Sequence, residues 1–416
     1  MVKFIHCADL HLGATFKNVA RKCDGSSKQI IADSTLASWQ KLVHKAVAEK
    51  VDFVLICGDI FDSSTPLLRQ RMAFKNGIDK LITAGISCFV VSGNHDNDLS
   101  IFKEFKFAEQ FKVFSADKVE KVVLDNLKTE IFGISYDGNN GADNLTRLFS
   151  DVEVNQNYFR IAMLHANVGA ASNYDVSYGV YSNCSFGDLT SKNFDYWALG
   201  HIHNGGILHG EKPMVVYSGS LQGLNINQDT PKGAYLVEVN DNLQVKSNFI
   251  NCSTVDFIRQ EVDLSDVVDD NGFWHKIWVL RDEFLKVHTE CDLIFAELIF
   301  IGRSAFYSQL KKESESELIN ALQLALGDKI FINDISVKVA SVIDKGNILK
   351  NNPLLGDILS FDESGTGGRN FVADKLKMLK NKFALLDFFT EEEIEQVISE
   401  SKEELYRIFA DEEEIS

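Results

Sequence analysis

Seven oxygen- and nitrogen-bearing side chains stand at the ends of apolar runs: Asp9, His11, Asp59, Asn94, His165, His201 and His203. Asp9 and His11 form an Asp-x-His pair after the run at 3–7. In extended backbone, residues i and i+2 face the same side, so this spacing presents one oxygen and one nitrogen to a single point. His201 and His203 repeat the spacing with two imidazoles, after Gly200. Asp59 follows Gly58 and the β-branched run at 51–57, and its two oxygens suit it to bridge two cations. Asn94 lies in Gly93-Asn94-His95-Asp96 and offers a neutral carbonyl oxygen, a weak ligand that keeps a metal electrophilic. His95 beside it is placed to donate a proton rather than to ligate. His165 ends the run at 159–164.

Each block alone has a bland alternative. Asp59 reads equally as a turn aspartate that caps the next helix. Asp9 and His11 read as an unrelated strand-end pair, and a lone His165 as a structural residue. Repetition of the pattern at one strand end after another favours chemistry. The donors mix oxygen and nitrogen and include no thiolate. One four-coordinate zinc would leave three of the seven unused, whereas two cations sharing Asp59 use all of them once water is added. Mn²⁺, Fe²⁺ and Zn²⁺ all suit such a set.

The positioning elements follow from apolar patterning. Runs at 3–7, 51–57, 86–91, 159–164, 194–199, 215–219 and 234–239 read as strands, as do 119–124 and 129–136. A helix is expected over 34–50, with Leu36, Trp39, Leu42, Val43, Ala46 and Val47 on one side. Pro66 opens another, with Leu68, Met72 and Ile78 as core candidates. This alternation is that of an α/β fold, whose chemistry sits outside the carboxyl ends of its strands. Lys17, Arg21, Lys22 and Lys28 form a basic loop that is either solvated or in contact with backbone phosphate. The loop carrying Ser220, Gln222 and Asn225 is expected near the site.

Residues 255–340 read as a separate α+β unit, with strands at 257–264, 277–280, 293–301 and 330–339 and a helix at 314–326. A Gly-rich linker at 351–369 follows. Two amphipathic helices close the chain, one marked by Phe371, Leu376 and Phe383. A capping box at Thr390 starts the other, which is marked by Ile394, Val397 and Phe409.

Composition bounds the class. A chain of 416 residues holds two or three domains, and 45% hydrophobic with 25% charged residues is usual for a soluble globular protein. No apolar run approaches the roughly 18 residues of a membrane span. The N-terminus lacks an apolar signal region, so a cytoplasmic location is expected. Cys7, Cys57 and Cys88 lie in apolar runs and read as buried reduced thiols. The net charge is −18, but it is uneven. Residues 1–250 hold 24 Lys and Arg against 27 Asp and Glu, and the remainder holds 18 against 33. Phosphate binding by the N-terminal part is therefore not excluded.

The ordered set D-x-H, GD, GNHD, H and GHxH resembles the calcineurin-like metallophosphoesterases, across residues 4–240 with all five blocks intact. DLHLG, GDIFD, GNHD and LGHIH look most like the SbcD-type DNA repair exonucleases. HCADLHLG, LHANVG and FDYWALGHIH are especially similar to the bacterial YhaO branch. The GNHE and GDxVDRG blocks of protein Ser/Thr phosphatases are not matched, because Asp96 replaces the Glu and no Arg-Gly follows Asp62.

The resemblance implies an α/β fold, a four-layer α/β/β/α metallophosphoesterase sandwich. It implies a nuclease domain over 1–250 and a small α+β capping domain over 251–345. A flexible linker over 346–370 and a helical partner-docking hairpin over 371–416 complete the expectation. Two divalent ions are implied, Mn²⁺ first and Fe²⁺ or Zn²⁺ as alternatives. Asp9, His11 and His203 would hold one, Asn94, His165 and His201 the other, with Asp59 bridging. His95 would be the general acid, and Asp62 a supporting or turn residue.

Implied partners are DNA, an SMC-like coiled-coil ATPase of the SbcC/YhaN type and a second copy of the chain, with no membrane. The implied activity is metal-dependent exonuclease or endonuclease cleavage of DNA in repair. The alternative is a phosphodiesterase or phosphomonoesterase acting on a small molecule or nucleotide, against which the long C-terminal extension argues. Intact ligand positions argue against a vestigial site. The acidity of the capping domain leaves a protein-facing role as a rival to DNA guidance.

Overall fold

A computed structural model describes residues 1–16, 25–96, 98, 100–103, 107–136, 138, 144–169, 183–228 and 230–343, with 346, 350, 400 and 404–406. Packing divides the chain into two units. The first comprises Met1–Arg259, Arg281–Glu297 and Leu326–Asp334, and the second Gln260–Leu280, Leu298–Ala325 and Ile335–Ser416.

The chain begins β1 (Val2–Cys7), α1 (Gly25–Glu49), β2 (Phe53–Cys57), α2 (Leu68–Thr83), β3 (Ser87–Val91), α3 (Ser100–Lys103) and β4 (Phe111–Val113). Next come β5 (Glu120–Leu124), β6 (Thr129–Gly133), β7 (Phe159–His165), α4 (Phe186–Thr190), β8 (Tyr196–Gly200), β9 (Gly206–His209) and β10 (Met214–Tyr217). β11 (Gly233–Val239) and β12 (Val245–Asn251) return to the first sheet. Then follow β13 (Val255–Asp263), α5 (Asp270–Val287), β14 (Leu293–Arg303), α6 (Tyr307–Leu310), α7 (Glu315–Leu326) and β15 (Ile330–Ala340).

The first sheet runs β12-β11-β1-β2-β3-β4, with β1 to β4 parallel and β11 and β12 antiparallel. The second runs β5-β6-β7-β8-β10-β9, parallel from β6 to β10 with antiparallel edges. A third orders β13-β14-β15.

Alternation along each strand builds the layers. From β1, Ile5 and Cys7 pack with Trp39, Leu42, Phe74 and Ile78 of the helices, while Phe4 faces Ile161, Tyr196 and Ala198 of the second sheet. Phe4 stacks on Phe53 at 5.0 Å and meets Tyr196 edge-on at 5.4 Å. The outer face of the second sheet packs Trp197 and Leu199 with Phe149 and Leu189. Helix, sheet, sheet and a helical outer layer give the four-layer α/β/β/α order. In the second unit, Phe273 packs with Phe300 and Phe306 at 5.7 and 5.2 Å. Among the described residues, no helix is long and apolar enough to cross a membrane.

Several local expectations are corrected. The stretch 277–280 is helical, inside α5. A four-residue apolar run does not distinguish strand from helix. The wider spacing does, because Phe273, Ile277, Leu280 and Phe284 are the buried face. Helix α1 begins at Gly25, well before residue 34, and its Val47 is exposed. In α2, Leu68 and Met72 are exposed, and Phe74, Ile78 and Leu81 carry the core contact. Lys28 lies exposed on α1, while Lys17, Arg21 and Lys22 fall outside the described residues. Cys7, Cys57 and Cys88 are buried free thiols.

One buried ion pair ties the two strands that carry the site's imidazoles. Asp195, just before β8, accepts bonds from Arg160 Nε at 2.8 Å and its second terminal nitrogen at 3.0 Å, and from the Arg160 backbone N–H at 2.9 Å. Burial alone would raise the Asp195 carboxyl, but these hydrogen bonds and Lys212 hold it below the ordinary range. Removing one partner of a buried pair costs roughly 3 kcal/mol or more. Asp195→Asn should therefore destabilise the protein by about that amount near neutrality. Because the folded carboxyl titrates below its unfolded value, its contribution is complete above roughly pH 4 and fades as pH falls further. Urea unfolding should thus show a gap between variant and parent that closes in acid.

Candidate metal centre

The site lies where the loops after β1, β2, β3, β7 and β8 meet. Asp9 and His11 do not converge by extended alternation. Both have left-handed backbone, φ 50° and 41°, as do Asp59 at 50° and His201 at 98°. Four of the seven such non-glycine residues described in the chain are therefore predicted ligands. That concentration marks a functional loop cluster. The loops are laced together: Asp9, His11 and Leu12 N–H groups donate to the Gly58, Asp59 and Ile60 carbonyls at 2.9–3.0 Å. Asp96 joins the next loop, accepting from Gly93 N and Ile60 N, each at 2.6 Å. Close approach requires glycine at two points. A Cβ on Gly93 would lie 2.2 Å from Asp59 Oδ1, and one on Gly200 1.8 Å from the Cys57 carbonyl.

All eight predicted site residues come together. Donor atoms of Asp9, His11 and His203 fall within 4.8 Å of one another, as do those of Asp9, Asp59 and His165. His11 Nε2 stands 3.0 Å from His203 Nε2 and 3.7 Å from Asp59 Oδ2. His165 Nε2 stands 3.5 Å from Asp59 Oδ2 and 3.1 Å from Asn94 Oδ1. The His201 ring lies 5.2 Å from that of His165, and its backbone N–H donates to Asp9 Oδ1 at 3.0 Å. His95 sits at the exposed rim, its ring 5.0 Å from His11 and its backbone N–H bonded to Asp59 Oδ1 at 2.9 Å. Asp62 supports two members: its carboxylate lies 3.2 Å from His11 Nδ1, and its carbonyl accepts from His95 Nδ1 at 3.2 Å.

The electrostatics fit divalent cations. Asp9 and Asp59 are buried, and among the described residues they pair with histidines and with no Lys or Arg. Burial and the neighbouring Asp59 charge push Asp9 up to about 6, against the pull of His165. Asp59 is held below the ordinary carboxylate range; burial opposes this, and the His165 charge and hydrogen bond overcome it. Burial would lower His165, yet Asp59 drives it up to about 9. The pocket thus concentrates negative charge and recruits protons to balance it. His165 Nδ1 is committed to the Cys57 carbonyl at 2.9 Å, which turns Nε2 toward Asp59 and Asn94. Fixing one ring nitrogen in this way orients the other for a cation. The oxygen and nitrogen donors suit Mn²⁺, Fe²⁺ or Zn²⁺.

Sequence reasoning missed the supporting groups. Gln228 Nε2 stands 3.0 Å from His203 Nδ1, while Gln228 Oε1 accepts from Leu224 N. The expected loop does reach the site, through Gln228 rather than through Gln222. Gln222 instead joins Ser38 and the Thr254–Val255 backbone. No local spacing marks Gln228 or the Cys57 carbonyl, since both contacts span long stretches of chain.

Residues 2–205 match the family described as calcineurin-like phosphoesterase. The chain is similar to the uncharacterized metallophosphoesterase YhaO of Bacillus subtilis, 29% identical over 327 residues, 77% of each chain. It is also similar to the DNA double-strand break repair protein Mre11 of Methanocaldococcus jannaschii, 27% identical over 82% of this chain and 84% of that one. The SbcD component of the nuclease SbcCD from Escherichia coli K12 is 23% identical over 73% of this chain and 85% of its own.

A cation-uptake measurement tests the donor set. The parent chain should take up two Mn²⁺ ions in calorimetry, and Asp59→Ala should take up at most one, with affinity down at least tenfold. Uptake by Asp59→Ala equal to the parent would remove Asp59 from the set.

Proposed function

Since residues 2–205 are a calcineurin-like phosphoesterase domain, we propose that the chain is a metal-dependent DNA nuclease acting within a repair complex. The observation that carries this reading is the convergence of eight predicted residues from five strand-end loops, with His95 alone at the open rim. Asp9, His11 and His203 hold one cation in this proposal, Asn94, His165 and His201 a second, and Asp59 both. Mn²⁺ is the proposed occupant. Such ions would supply Lewis acidity and an activated water at neutral pH.

The chain's own part is orientation and proton transfer. Asp59 fixes the His95 backbone, and the Asp62 carbonyl occupies His95 Nδ1. Nε2 is left to protonate the departing 3′ oxygen. General acid assistance of this type is worth roughly 10²–10⁴-fold. His95→Asn should therefore keep Mn²⁺ affinity while cleavage falls by about that factor. Cleavage at the parent rate would displace His95 from the role. The reading itself is tested by supplying Mn²⁺ with end-labelled duplex DNA or with p-nitrophenyl phosphate esters. Preference for DNA supports it, and turnover of the small esters alone favours the small-molecule alternative.

We assign residues 1–250 to the nuclease domain and 251–345 to a capping domain. The linker at 346–370 and the docking hairpin at 371–416 lie almost wholly outside the described residues. The hairpin is proposed to bind an SMC-like coiled-coil ATPase, and the nuclease domain to pair with a second copy. The similarity to SbcD and Mre11 supports both. A chain ending at residue 369 should retain Mn²⁺-dependent cleavage and lose the ATPase in pull-down; retained binding would place docking elsewhere.

A further inference from the structure

The proposed cation ligands come from two different sheets. Asp9, His11, Asp59 and Asn94 follow strands of the first, and His165, His201 and His203 follow strands of the second. Their spacing therefore depends on how one sheet is set along the other. The layer between the sheets is largely apolar, with Phe4, Phe53, Leu55, Ile161, Met163 and Ala198 among its members. Apolar burial is non-directional and by itself tolerates small slides.

A directional link crosses that layer below the ligands. His6 on β1 is fully buried, three residues before Asp9. Its Nδ1 stands 3.0 Å from the Tyr196 hydroxyl, and its Nε2 stands 3.2 Å from the Leu199 carbonyl. A carbonyl only accepts, so Nε2 carries the proton and Nδ1 accepts from Tyr196. Tyr196 is also fully buried, and Leu199 lies two residues before His201. The imidazole thus joins the stem carrying Asp9 and His11 to the stem carrying His201 and His203. Burial pulls His6 down to about 3, so the ring is neutral near pH 7 and the bond pattern is fixed.

We infer that His6 and Tyr196 are positioning residues that set the spacing between the two halves of the cation-binding cluster. This rests on the two-cation reading proposed above. The pair touches no ligand side chain; it acts through the strands that bear them.

The test separates positioning from plain stability. Tyr196→Phe leaves His6 Nδ1 without its donor, whereas His6→Leu with Tyr196→Phe removes both polar partners. Replacing both members of a buried pair by apolar groups is close to neutral for stability. In EDTA, Tyr196→Phe should melt below the parent, and the double variant should recover most of that loss. Outer-shell changes lower metal affinity by roughly 10–100-fold. Mn²⁺ affinity should fall about tenfold in both variants, without recovery in the double. The electron paramagnetic resonance spectrum of the Mn²⁺-loaded double variant should also lose the parent's coupled-pair signature. A double variant with parental affinity and spectrum overturns the inference, as does an affinity that recovers along with stability. A parent chain that takes up no Mn²⁺ overturns the two-cation reading, and this inference with it.

Discussion

Asp9 and Asp59 are buried carboxylates facing each other across a cluster of imidazoles. Burying like charges is expensive unless something positive or hydrogen-bonding stands against them. Here backbone N–H groups do part of that work: His201 donates to Asp9, and His95 donates to Asp59. The remaining negative charge is balanced only by protons on neighbouring histidines, which is why His165 binds its proton so tightly. Much of the surrounding structure holds this arrangement in place. Asp96 clamps two loops with its two oxygens, and glycines at 93 and 200 let backbones approach where a side chain would collide.

The fold answers to the same requirement. Parallel strands deliver their carboxyl ends to one side, and here two parallel-centred sheets deliver theirs to a common line. Oxygen donors come mostly from the first sheet and the imidazoles after β7 and β8 from the second. Each sheet alone would present half a site. The Arg160–Asp195 pair secures β7 beside β8 near their starts, and His165 secures β7 to β2 near its end through the Cys57 carbonyl.

Much of this was legible in the sequence, because strand-end motifs are local. Gly58-Asp59, Gly93-Asn94-His95 and Gly200-His201 each combine a required glycine with a donor directly beside it. The strands that lead to them are short, buried and β-branched, and they read clearly. Other features depended on context that no window contains. α5 holds a four-residue run as apolar as any strand, and only its Phe273–Ile277–Leu280–Phe284 spacing betrays a helix. Leu68 and Met72 are apolar yet exposed, since the face of α2 turned to the sheet is set by Phe74, Ile78 and Leu81. Gln228 is one polar loop residue among many until folding brings it against His203. The geometry of Asp9 and His11 was also different from the expected extended form, because the chain curls there into left-handed backbone.

That curl ties the soundness of the fold to ion supply. Four ligand-bearing residues hold a backbone conformation that costs on the order of 1 kcal/mol or more apiece. Anything that binds the native form and not the open chain offsets that burden by mass action. A cell short of the right ion would therefore hold a larger share of opened molecules exposed to proteases, so scarcity would lower the amount of protein as well as its occupancy.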